Sequence, residues 1–151
     1  MTDDCKNEIL ELLEKQAGGL ASKEEIIDMI ENGFIAGDNL ISIDHNDVLQ
    51  TIKGMSEIDA ASASGLNSDL YAMLKDAISR ISAAHGGKAP SSMLITFHIP
   101  RDGNFMIGHM DGMNQCLDEI EGNPDIIWGV ANVDGMAADE VKIFLMTGFK
   151  D

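Results

Sequence analysis

A long helical stripe followed at once by a strand-forming run limits this chain to folds that lay helices on a sheet. Across residues 67–84, Leu70, Met73, Leu74, Ala77, Ile78 and Ile81 recur at helical spacing, which predicts one amphipathic helix with a single apolar face. His85-Gly86-Gly87 ends it. Met93-Leu94-Ile95-Thr96-Phe97-His98-Ile99 then forms a short β-rich run closed by Pro100.

The flanking segments extend this pattern. Residues 4–17 read as an amphipathic helix carrying Ile9, Leu12 and Leu13, stopped by Gly18-Gly19. Ser22 and Glu25 form a capping box for a second helix over 22–36, with Ile26, Ile27, Ile30 and Phe34 on its stripe. Gly33 weakens its end, and Gly37-Asp38-Asn39 reads as a turn. Asp44 or His45 opens a third helix carrying Val48, Leu49, Ile52 and Met55. Ile58 to Ser64 is small and polar and suits a strand. Met110, Met113, Leu117 and Ile120 predict a helix around 108–121, and 125–132 and 141–147 read as buried strands. The expected fold is α+β, a two-layer domain with a four-stranded mixed sheet and helices on one face. Residues 1–36 are expected to be a helical extension packing on the domain formed by 37–151.

Composition sets the function classes. The chain has 151 residues, 44% of them apolar, so one domain has material for a core. Ten basic against 26 acidic residues give a net charge of −16. The basic residues are scattered singly, which argues against nucleic acid and anionic membrane as partners. No apolar run approaches the ~20 residues of a membrane span, and the acidic start lacks a cationic apolar leader. A cytoplasmic protein is therefore expected. Cys5 and Cys116 stand alone, far apart, and read as two free, partly buried thiols, with a disulfide between them as the alternative.

The candidate site is the loop Leu40-Ile41-Ser42-Ile43-Asp44-His45-Asn46-Asp47-Val48. A spacing of three puts Asp44 and Asp47 on one helical face, one turn apart. Carboxylates so placed can orient a water toward a phosphorus. The same spacing is also what a helix cap needs, with an Asp at the start and an acid three residues on. The two readings are compatible. His45 between the acids has no further ligand in sequence to make a metal site, and none is expected. His98, mid-strand, and His109, near a helix start, suit packing or capping. The ten Met residues fall mostly on inward stripes and read as core.

The loop resembles the Leu-Ile-Asn-Leu-Asp-x-x-Asp-Val pattern of the tubulin-like division GTPase family FtsZ. Ala61-Ser62-Ala63-Ser64-Gly65 and Met93 to Phe97 are similar to two of that family's C-terminal strands. Gly129-Val130-Ala131-Asn132-Val133-Asp134-Gly135-Met136, Asp139-Glu140-Val141-Lys142-Ile143 and Met146-Thr147-Gly148-Phe149 resemble its last hairpin. The resemblance covers about residues 38–151. It implies the family's C-terminal domain without its GTP-binding domain, and Asp44 and Asp47 acting in trans on a neighbouring subunit's nucleotide. It also implies that Ser42, Ile43, Asp44, His45 and Asp47 meet the partner. Ser42 departs from the family's Asn. Gly18-Gly19 and Gly86-Gly87 are too short to cradle phosphates, so no nucleotide or other cofactor is expected to bind this chain alone.

These readings imply an interaction protein that docks on an FtsZ-like filament subunit, or on itself, and caps or modulates polymerisation. It would not be an enzyme on its own, though it would stimulate a partner's GTP hydrolysis if the two carboxylates act. The alternative is a stand-alone α+β domain that self-associates or binds a small ligand, unrelated to filaments.

Overall fold

A computed structural model describes residues 3–35, 38–41, 43–101, 103 and 107–150. Helices α1 (Asp3–Gln16) and α2 (Lys23–Met29) come first, and α2 runs into a π-helical turn over Ile30–Phe34. Strand β1 (Asp38–Ile41), helix α3 (His45–Ile52), strand β2 (Glu57–Leu66) and helix α4 (Leu70–Ala84) follow. The remainder is β3 (Ser92–Pro100), α5 (Met110–Asp118), β4 (Asp125–Val133) and β5 (Glu140–Phe149).

The mixed α+β sheet is as expected, with one addition at its edge. Its order is β1-β4-β3-β5-β2. β3 lies at the centre, parallel to β4 and antiparallel to β5. The four strands read from sequence are β2 to β5. The short β1 joins β4 antiparallel, with Asp38 opposite Asn132 and Ile41 opposite Val130. It stands where Asp38-Asn39 was expected to turn; Gly37 lies outside the described residues.

The helices divide between the two faces of the sheet. On one, Leu70, Leu74, Ala77 and Ile81 of α4 and Met110, Met113 and Cys116 of α5 meet Ile95, Phe97, Ile143 and Leu145. On the other, Ile9 and Leu13 of α1, Ile26 of α2 and Val48 and Ile52 of α3 meet Ile58, Leu94, Phe144 and Met146. The one-face expectation therefore holds for α4 and α5, while α3 sits on the opposite face with α1 and α2. The reason is the strand pattern: β3 is buried at all its positions, so each face of the sheet has to be covered.

Residues of the N-terminal segment share the core on the α3 face of the sheet. Ile26 and Phe34 are wholly buried there, as is Leu13. Across the π-helical turn, Ile35 N–H reaches back to the Ile30 carbonyl at 3.2 Å. The Gly33 carbonyl accepts from His98 Nε2–H at 2.6 Å. Burial pushes the His98 pKa down, against the pull of that bond, so His98 is a neutral packed histidine. Among the described residues, no helix is long and apolar enough to cross a membrane.

Candidate functional site

The carboxylate loop is held from below by apolar anchors. Ile43 is 3% exposed and packs with Val48 and Ile52 of α3, both fully buried. Gly129 of β4 lets the loop lie flat on the sheet. A Cβ there would stand 2.7 Å from the Ile41 carbonyl and 2.8 Å from Ile43 Cγ1. The chain therefore leaves β1 in close contact with the sheet and enters α3 at a fixed point.

At that point Asp44 is the N-cap of α3, with an extended backbone at φ −117° and ψ 178°. Its Oδ1 accepts from Asp47 N–H at 3.0 Å, and Asp47 Oδ2 accepts from Asp44 N–H at 3.0 Å. This reciprocal box satisfies two backbone donors that the first turn of a helix leaves open. Each carboxylate commits one oxygen to the cap. Asp44 is exposed and Asp47 half-buried, so the pair stays within reach of water while the cap holds it still.

The surroundings of the loop come from the N-terminal helices. His45 Nε2 lies 3.4 Å from Glu31 Oε1 in the π-helical turn. Glu31 Oε1 in turn lies 3.8 Å from Lys6 Nζ of α1. His45 is mostly covered, with its side chain 13% exposed. Of the five residues expected to meet a partner, Asp44, His45 and Asp47 come together at the start of α3. Ile43 points into the core, so its side chain anchors the loop and is not available to a partner. Ser42 lies outside the described residues. No cluster of His, Cys, Asp or Glu suited to a metal ion occurs among the described residues.

Two further features were not read from the sequence. One is a cavity of about 240 Å³ between α4 and α5, lined by Lys75, Ile78, Ala89, Pro90, Cys116 and Ile120 among others. Cys116 is a free thiol, and burial pushes its pKa up to about 11, so it is an inert wall of that cavity. The other is a polar cluster at the far edge of the sheet, where His85 sits between Glu57 and Asp59. His85 reads in sequence only as a helix stop, because both carboxylates lie more than twenty residues away from it in the chain.

No protein-family model matches the chain, and no curated protein matches it. Solved structures do. An empty FtsZ dimer from M. jannaschii is similar with a TM-score of 0.56 and 18% identity, over 83% of this chain and 37% of that one. GDP-form protofilaments of TubZ from Bacillus thuringiensis serovar israelensis are similar with a TM-score of 0.64 and 11% identity, over 83% and 35%. The GTPγS-form TubZ protofilament gives a TM-score of 0.61 over 83% and 33%. The fold is therefore FtsZ/tubulin-like, and the chain spans about a third of the length of these proteins. Identities this low speak for the fold alone.

Proposed function

We propose that this chain is an interaction protein that docks on an FtsZ-like filament subunit or on a second copy of itself, and that it caps or modulates polymerisation. The observation that carries this reading is the fold match to proteins solved as a dimer and as protofilaments. It is supported by the loop at the start of α3, where the Asp44 carboxylate is accessible and conformationally held. A docked partner would supply nucleotide, metal and phosphate-binding backbone. Asp44 and Asp47 would then supply acceptors that orient the attacking water.

A second reading, a stand-alone domain that binds a small ligand, draws on the cavity between α4 and α5. One mixing experiment separates the two. The protein is added to FtsZ purified from the same organism, and polymer mass and GTP turnover are measured. A dose-dependent change in either supports docking on filaments. No change in either, with a stable homodimer by sedimentation, rejects the filament role in favour of self-association. No change with a monomer favours the small-ligand reading.

A further inference from the structure

Asp59 of β2 is fully buried. Its Oδ1 accepts from Ala21 N–H and Ala60 N–H, each at 2.8 Å. Its Oδ2 accepts from Leu20 N–H at 2.6 Å and faces His85 Nε2 at 2.8 Å. Two of those donors, Leu20 and Ala21, belong to the connection between α1 and α2. The same connection adds a backbone bond from Gly18 N–H to the Ile58 carbonyl at 3.1 Å, and Ala17 pairs with Ile58 in parallel. It therefore lies along the outer edge of β2. Gly19 is what lets it approach. It has φ +117°, and a Cβ would stand 2.5 Å from Asp59 Oδ2 and 2.6 Å from His85 Nε2.

The protonation state of His85 follows from its partners. Nδ1 lies 2.8 Å from Glu57 Oε1 while Nε2 lies 2.8 Å from Asp59 Oδ2. Ionised carboxylates only accept, so an ionised pair calls for a proton on each ring nitrogen, an imidazolium. Lys88 pairs with the other oxygen of Glu57, and Phe149 of β5 stacks on the ring with centroids 4.6 Å apart. The charged groups facing the ring are thus Glu57 and Asp59 from β2, with Lys88 behind Glu57. Residues 17–21 bring only backbone and apolar side chains.

We propose that Asp59 and His85 form a pH-gated latch that pins the α1–α2 connection to the edge of β2, and that loss of one proton from His85 releases the connection. Neutral imidazole keeps a single N–H and can serve only one of the two carboxylates. Its bare nitrogen then faces acceptor lone pairs, and the carboxylate left without the bond loses its charged partner on the ring, so that Asp59 keeps backbone donors only or Glu57 keeps Lys88 only. Release is local. Ile9, Leu13 and Ile26 still hold α1 and α2 to the core, so what opens is the connection and the strand edge under it, at Ile58.

The direction of the pH dependence is fixed by the cluster. Burial pulls the His85 pKa down, but the hydrogen bonds and charges of Glu57 and Asp59 outweigh it, and the net shift is upward from 6.5. Glu57 and Asp59 stay beside the ring when the connection opens, but water then enters the cluster and screens their hold on it, so the His85 pKa falls back toward its ordinary value. The latch therefore contributes in full below that value and is lost as pH rises through the raised one.

The test is amide hydrogen exchange on the full chain between pH 6 and pH 9, with rates divided by the intrinsic rate at each pH. The amides of Leu20 and Ala21 are read against that of Ile95 in the central strand. Their protection is expected to fall at least tenfold relative to Ile95 across the series. Nitrogen-15 spectra of the imidazole should show both ring nitrogens protonated at pH 6. In His85→Gln, Leu20 and Ala21 are expected to be poorly protected at pH 6, with no further pH dependence. If that variant fails to fold, the wild-type series decides alone. Constant relative protection of Leu20 and Ala21, or a bare ring nitrogen at pH 6, would overturn the latch.

Discussion

Asp44 and Asp47 are at once cap and candidate reagent, and an amide substitution separates the two roles. Asn caps a helix about as well as Asp, so Asp44→Asn with Asp47→Asn should change stability by no more than about 0.5 kcal/mol in thermal melts. If the carboxylates orient water on a partner's nucleotide, the double variant should dock normally yet lose any stimulation of GTP turnover. Equal turnover at matched binding would leave the pair as a helix start only. Gly129→Ala probes the same site from below. Its Cβ would press on the Ile41 carbonyl, a backbone atom with little freedom to move. A cost of roughly 1–3 kcal/mol is expected, read as a fall in the denaturation midpoint. The reciprocal cap was legible because its partners are three residues apart. The buried state of Ile43 was not legible, since a loop residue's neighbours are set by β4 and α3 rather than by its own segment. Gly129 and the His85 cluster stayed hidden for the same reason: each makes sense only beside residues remote in the chain.

Helices carried their signals locally and strands did so less evenly. Ser22 and Glu25 announce the start of α2, and the structure has both bonds of the box, each at 3.1 Å. Ser22→Ala should cost about 1 kcal/mol, measurable by denaturant titration. The apolar stripes of α4 and α5 likewise show in spacing alone. β1 escaped because four residues beginning Asp-Asn look like a turn, and its only justification is pairing with β4 late in the chain. The placement of α3 on the far face escaped because periodicity says which side of a helix is buried and not which side of the sheet receives it. The extension can be tested as an element. Deleting residues 1–36 would strip Leu13, Ile26 and Phe34 from Ile58, Leu94, Phe144 and Met146. The truncated chain should aggregate or bind an apolar dye, and a soluble truncation of unchanged stability would refute the packing role.

At the level of the whole molecule, charge governs encounter. The net charge of −16 is spread over a surface where basic groups pair singly with acids, as Lys23 does with Glu14 and Arg101 with Asp134. Docking on an acidic filament subunit would therefore begin against repulsion, which salt screens within about 10 Å at 0.1 M. Pull-downs across a salt series should show binding that strengthens as salt rises; steady weakening would point to a local contact of opposite charges. These 151 residues also contain no glycine-rich phosphate cradle. Titration with labelled GTP or GDP should give no binding near ~1 μM, the affinity of about 8 kcal/mol that a real nucleotide site would reach.

The strand order has a further consequence, for the time at which the fold can come into being. Within the sheet β2 pairs with β5 alone, so Glu57 finds its opposite number in Phe149 and Leu66 in Glu140. β5 is also the strand that inserts between β3 and β2. A ribosome releases β2 long before β5 exists, and until then β2 has no strand beside it in the sheet. Early segments can form helices and the β3–β4 pair, but the sheet cannot close until residues 140–149 have emerged. The growing chain must therefore carry Ile58 and its neighbours uncovered on that side from the time β2 is made until β5 follows.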